Sequence, residues 1–371
     1  MRTFDALVIG AGIGGATAAY HLARRGRRVA LLEAEESAGY HTTGRSAAIW
    51  ILNYGTPDAQ ALTAASGDFF RDPPPGFTDA PLMSPRPCVH LAPPGKVAEL
   101  AAMVANGHDI EPIAVEEIRA MVPPLRPGYA AAAALERGAF DMDVAALHGG
   151  FLRALRADGG TLALRRRAGR LWHADGAWHA ETSGDEVFAA PVLVDAAGAW
   201  GDEVARLAGV APLGLQPKRR TAAIVDPAPH VPADWPLLGD VGHSWYARPE
   251  ARTRLMVSPA DETDSDPCDA QADELDVAIA VDRFQEAMDI PVHRVEHRWA
   301  GLRTFTPDRG LAIGASERPG FYWNCGQGGY GIQTAPAAGR LLAALVAGDD
   351  PGELAPVVPL VDPRRFATRA G

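Results

Sequence analysis

Cysteine is scarce: Cys88, Cys268 and Cys325 are the only three in 371 residues. Their odd number and irregular spacing fit neither a disulfide framework nor a zinc site. No metal is therefore expected, and a reducing compartment, the cytoplasm, is the expected location. Long apolar runs are missing too. The stretch Leu7–Tyr20 is short and broken by glycines, so no integral membrane segment is expected, while peripheral contact with the inner membrane stays open. Positive charge is in deficit. The 35 Lys and Arg against 46 Asp and Glu give a formal net charge of −11, which argues against nucleic acid or an anionic membrane as partner. No cleavable leader is recognisable ahead of the glycine-rich start, and none is expected.

What is present is an ordinary globular composition, 47% apolar and 22% charged, in a chain long enough for two intertwined domains. Its opening carries the strongest pattern. The β-forming run Phe4–Ile9 reads as a buried parallel strand. It leads into Gly10-Ala11-Gly12-Ile13-Gly14-Gly15, then a helical stretch to Arg25, then a second apolar strand ending in Glu33-Ala34. The glycines have separate physical roles. Gly10 allows the tight turn, Gly12 lets backbone approach a pyrophosphate, and Gly15 lets helix and strand pack closely. The helix N-terminus favours an anion. Glu33 can accept hydrogen bonds from the adenosine ribose, and its charge argues against a 2′-phosphate. Strand, glycines, helix, strand and acid in that order predict a dinucleotide site, without separating NAD from FAD.

Further segments look built for close approach to a long cofactor. The small and polar Thr43-Gly44-Arg45-Ser46-Ala47-Ala48 follows soon after. Val192–Asp195 reads as another buried strand running into Ala197-Gly198 and Trp200. Near the end, Phe321–Cys325 reads as a strand that runs into Gly328-Gly329-Tyr330-Gly331-Ile332-Gln333 and a helix from Thr334 to Ala347. That second strand–glycine–helix offers another helix N-terminus to a developing negative charge. Arg294–Trp299 is predicted as a strand, with Gly301-Leu302-Arg303 as a turn beyond it.

Together, the glycine fingerprint, the Thr-Gly-Arg-Ser-Ala-Ala segment, Asp195–Trp200, Gly301–Asp308 and the closing Gln-Gly-Gly-Tyr-Gly-Ile-Gln-Thr resemble the D-amino acid oxidase superfamily of flavoproteins, over residues 4 to 346. Within it, Tyr54-Gly55-Thr56-Pro57, Ser84-Pro85-Arg86-Pro87 and Leu213–Arg220 resemble the bacterial D-arginine dehydrogenases. The resemblance implies an α/β fold: a Rossmann-like FAD-binding domain (residues 1–84, 141–212 and 305–371) and a substrate domain on a mixed or antiparallel sheet (85–140 and 213–304). It implies non-covalent FAD, hydride transfer from a substrate carbon to flavin N5, and an imine that hydrolyses. A quinone or similar electron acceptor is expected rather than oxygen.

The same resemblance places Arg303 as a two-pronged clamp on the substrate carboxylate and Arg220 as a second cation. Tyr54 and Tyr246 would close the pocket, Gly329 would offer its carbonyl to the amine, and Gln333 would line the wall. The departures concern the side-chain pocket. Cys88 stands where the dehydrogenases carry an acid for the guanidinium, and Ile49 and Ile51 stand where they carry histidine and threonine. Leu237 and Gly239 are further lining positions. A buried cation without its carboxylate is disfavoured, so the expected substrate is a neutral or apolar D-amino acid rather than D-arginine, unless Asp240 or Glu250 replaces the missing acid. The lone histidines are read as packing or surface groups, with only His243 near the pocket. The alternative chemistry is oxidation of glycine, sarcosine, a cyclic imino acid or a 2-hydroxy acid, since two arginines suit any small carboxylate.

Overall fold

The computed structural model describes residues 1–369; the last two residues of the expected FAD-binding span lie outside them. A six-stranded sheet runs in the order Thr161–Ala163, Val29–Leu32, Ala6–Ile9, Val192–Asp195, Phe321–Cys325 and Ala312–Ala315. Its first five strands are parallel and the last is antiparallel. Ala6–Ile9 and Val29–Leu32 are buried at every residue, as expected for strands covered on both faces. The helix Ile13–Ala23 buries its alanines and Leu22. It packs against the closing helix Gly331–Ala347, where Thr17 Oγ1 donates to Ala335 O at 2.8 Å.

A nine-stranded, largely antiparallel sheet forms the other main layer. Its longest pairing joins Gln216–Val225 to Val295–Phe305, with Arg220 opposite Gly301 and Lys218 opposite Arg303. The helix Glu274–Ala287, capped by Asp273 accepting from Leu275 N at 2.9 Å, covers a core that includes Trp245 and Phe284. One expectation is corrected in this layer. The strand predicted to stop at Trp299 continues to Phe305, so Arg303 sits inside a strand and not on a turn. Gly301 does not end the strand because its partner strand, Gln216–Val225, supplies a continuous ladder past it.

The short turn Thr42–Arg45 fastens one layer to the other. Thr42 Oγ1 donates to Leu302 O at 2.7 Å, Arg45 Nη1 donates to Ala270 O and Ala300 O at 2.8 and 3.0 Å, and Trp299 Nε1 donates to Arg45 O at 3.1 Å. These bonds set the strand bearing Arg303 beside the glycine loop. Among the described residues no helix is long and apolar enough to cross a membrane.

Candidate active site

A long cleft opens at the carboxyl ends of the parallel strands, where ligands of open α/β sheets bind. It is lined by Gly10, Gly12, Ile13, Gly14, Glu33, Ala34, Thr43, Arg45, Ser46, Ala47, Ala197, Gly198 and Trp200, and from the far end of the chain by Gly301, Arg303, Gly328, Gly329, Gly331 and Ile332. Gly10 has φ +95°, and a Cβ there would lie 2.6 Å from Ala196 O. Gly12 begins the helix without a side-chain cap of its own; Thr43 Oγ1 instead accepts from Ile13 N at 2.9 Å. Glu33 is buried, and its carboxylate accepts from Ala11 N at 2.8 Å and Glu35 N at 2.9 Å. It therefore anchors the glycine loop, and each oxygen retains a lone pair for a ribose hydroxyl. Narrow backbone walls, a helix start whose cap position is a glycine and an acid at the second strand's end fit a dinucleotide.

Five residues expected at the cofactor lie elsewhere. Gly15 sits at the packing point between helix and first strand that the sequence reading also gave it, where a Cβ would lie 1.7 Å from Gly10 O, and a Cβ on Gly44 would lie 2.8 Å from Gly39 O. Ala48, Tyr330 and Gln333 line the adjoining cavity instead. Several residues at the cleft escape the sequence reading, among them Arg166, Arg167 and Ala168. Arg166 N donates to Glu33 O at 2.7 Å, which places this run beside the acid. An arginine triplet immediately after a strand is the one signal that could have found it.

The second cavity, of about 490 Å³, shares Ser46, Ala47, Arg220, Tyr246, Arg303, Gly329 and Ile332 with the cleft. Arg220 and Arg303 lie diagonally on paired strands and on one face. Arg303 Nη1 donates to Tyr54 OH at 2.9 Å. Burial opposes its charge, but Tyr54, Tyr246 and Glu262 raise its pKa and keep it cationic. Tyr246 lies two strands away, on Tyr246–Glu250, which Arg254–Ser258 separates from Gln216–Val225. Burial would raise its phenol pKa, yet the Arg303 and Arg220 guanidiniums outweigh that and lower it. Glu262 accepts from Arg220 Nη2 at 3.4 Å and from Arg309 Nη2 at 2.8 Å, so this one carboxylate faces several cations. A Cβ on Gly329 would lie 2.8 Å from both Arg303 Nη1 and Tyr54 OH; the clamp needs the missing side chain. The arrangement is a cationic, phenol-flanked seat for a carboxylate where the two cavities meet.

Ile49, Ile51, Cys88, Leu237, Gly239 and Gln333 also line this cavity. The Gln333 amide is already engaged: Oε1 accepts from Ile51 N at 3.1 Å, and Nε2 donates to Ile51 O and Thr63 Oγ1 at 3.2 and 2.9 Å. It holds the segment that leads to Tyr54. The wall is more polar than the sequence suggests, because Asn53, His90, Asp240, His243, Glu262 and Arg309 line it as well. His90, expected to be a packing residue, points into the cavity instead. It lies two positions from Cys88 on the strand Cys88–Ala92 and shares its face. Of the two acids proposed as substitutes, Asp240 is the one that lines this cavity. Asp240 accepts from Gly242 N, Ser244 N, Ser244 Oγ and Trp245 N, and Glu250 is paired with Arg248 at 2.8 Å. Among the described residues no group of three or more His, Cys, Asp or Glu side chains is placed to hold a metal.

The family described as FAD dependent oxidoreductase matches residues 5–345. Solved structures share the fold at low identity. Glycine oxidase from Geobacillus kaustophilus superposes with a TM-score of 0.84 at 21% identity, covering 96% of this chain and 98% of that one. L-Proline dehydrogenase from P. horikoshii gives 0.85 at 20%, covering 99% of both. L-Amino acid deaminase from Proteus vulgaris gives 0.77 at 15%, covering 99% and 96%.

Proposed function

The chain belongs to the FAD-dependent oxidoreductases, and from that premise we propose that it oxidises neutral D-amino acids to 2-oxo acids and ammonia. FAD, when bound, supplies a two-electron acceptor for the α-hydrogen and its electron pair. The observation that carries the reading is the half-buried seat of Arg303, Arg220, Tyr54 and Tyr246 where cleft and cavity meet. Two guanidiniums and two phenols fix a carboxylate at two points, and that presents one face of the α-carbon to the cleft. The Gly329 carbonyl is offered to the amine. Water hydrolyses the imino acid to the 2-oxo acid and ammonia.

A cavity of about 490 Å³ has room for a side chain beyond the clamp, which supports amino acids larger than glycine or sarcosine. The preference for the D-enantiomer and for a non-oxygen acceptor rests on the likeness to the D-arginine dehydrogenases, as does non-covalent FAD. The division into a cofactor domain around the six-stranded sheet and a substrate domain around the nine-stranded sheet belongs to the same reading, as does a cytoplasmic location.

The test is anaerobic bleaching of the flavin absorbance by D- and L-amino acids, glycine, sarcosine, proline and 2-hydroxy acids. Fast bleaching by neutral D-amino acids with release of ammonia is expected. Bleaching by L-amino acids, sarcosine or hydroxy acids alone would overturn the substrate class and leave the family intact.

A further inference from the structure

The carboxylates around the substrate cavity are held in different ways. Asp240 accepts four hydrogen bonds from its own turn. Glu136, behind the wall, accepts from Leu52 N at 3.1 Å and Asn53 N at 3.4 Å with one oxygen and meets His90 Nε2 at 3.4 Å with the other. The Glu262 side chain is held, among the described residues, by guanidiniums alone. One oxygen accepts from Arg309 Nη2 at 2.8 Å and from Arg220 Nη2 at 3.4 Å. The first distance is that of a firm charge-assisted bond, and the second lies at the outer edge of one. Both arginines have anchors of their own. The Arg309 guanidinium stacks over Phe305 at 4.0 Å, and its carbonyl accepts from Tyr330 OH. Arg220 Nε donates to Asp261 O at 2.8 Å, and the Asp261 carboxylate accepts from Thr221 N and Oγ1 at 2.7 and 3.0 Å.

We propose that Glu262 competes with the ligand's carboxylate for Arg220, and that this competition makes the site favour an amino acid over the bare anion of a 2-hydroxy or 2-oxo acid. The inference rests on the reading of Arg220 and Arg303 as a carboxylate seat. An incoming carboxylate takes the Arg220 donor from Glu262. Arg309, the nearer partner, keeps the displaced side chain at the cavity wall. Two anions then share one neighbourhood, which weakens binding. An amino acid zwitterion brings its own ammonium beside the carboxylate and offsets part of that repulsion. A 2-hydroxy acid brings none. Nor does the 2-oxo acid product, which has lost the nitrogen, so Glu262 regains Arg220 as the product leaves. Selection here comes from a repulsive element set beside the attractive ones. The Glu262 side chain is 32% exposed, so solvent screens the repulsion and keeps the effect modest.

The experiment measures dissociation constants from the perturbation of the flavin absorbance of the FAD-loaded protein. The ligands are pyruvate and the pair 2-aminoisobutyrate and 2-hydroxyisobutyrate, which share a shape and have no α-hydrogen to give up. Glu262→Gln should bind all three more tightly, and the hydroxy and oxo acids should gain roughly two- to fivefold more than the amino acid. Arg309→Gln, which leaves Glu262 to Arg220 alone, should weaken all three. That loss should shrink when Glu262→Gln is already present, because Arg309 acts through Glu262. Weaker binding of every ligand to Glu262→Gln would make the residue a support for Arg220 and overturn the proposal. Equal tightening of the three would overturn the selection. Tighter binding to Arg309→Gln overturns the competition without need of the other variant. If no ligand perturbs the flavin of any of these proteins, the carboxylate seat itself is wrong and the inference falls with it.

Discussion

The glycine-loop end of the dinucleotide cleft closes with backbone and small side chains, whereas the seat it shares with the cavity beside it is built from two guanidiniums and two phenols. The first site is made by leaving atoms out, so that a helix start and two strand ends can close around a long ligand. The second is made by putting charged atoms in and holding them with partners such as the half-exposed Glu262 and the buried Gln333 and Glu136. A site of the first kind fails when atoms are added. A site of the second kind fails when they are removed, and it fails without losing its neighbour.

The largest effect should therefore come from a single methyl group in the glycine loop. Gly15→Ala would place its Cβ 1.7 Å from Gly10 O, a backbone clash that rotamer changes cannot relieve. The expected product is insoluble or flavin-free, read by the visible spectrum of the purified protein. Next comes Arg303→Ala. It should retain FAD and a normal melting temperature, and lose roughly 10²- to 10⁴-fold in kcat/KM, because a desolvated two-point carboxylate contact acts on both binding and alignment. If Gly15→Ala held flavin while Arg303→Ala lost it, the contrast between the two sites would be wrong.

The contrast also explains what could be read in advance. The fingerprint from Gly10 to Glu33 lies within one strand–helix–strand unit, so its parts meet because they are neighbours in sequence. Glu136 meets His90 only because two strands pair in register with Cys88 opposite Glu136. Nothing in the alanine-rich stretch before Glu136 announces that pairing. Arg303 is recognisable by type but not by position, since the ladder that carries its strand past Gly301 comes from residues 216–225. Asp240 is visible as an acid near the pocket. Its four hydrogen bonds, which fix it in the cavity wall, follow the local turn to Trp245.

The smallest expected effect sharpens the account of the charged cavity. Tyr246 has a lowered phenol pKa because of Arg303 and Arg220. It should ionise at a lower pH than an ordinary tyrosine, and the phenolate would then compete with the substrate carboxylate for the same cations. In the wild type kcat/KM should fall on the alkaline side. In Tyr246→Phe that fall should begin at higher pH, while kcat/KM at neutral pH drops by about tenfold or less, the value of one neutral hydrogen bond. A profile identical in shape for both enzymes would remove Tyr246 from the carboxylate seat.

The order of strands in the six-stranded sheet has a consequence for how the protein is made. Ala6–Ile9 is synthesised long before its neighbour Val192–Asp195, and the next strand, Phe321–Cys325, comes later still. Until then the nascent sheet has an open, apolar edge, a template for wrong pairing. The cleft is likewise incomplete until Gly328–Ile332 has been translated. Flavin capture therefore waits for that late segment, and bound FAD, touching both early and late walls, would hold them together.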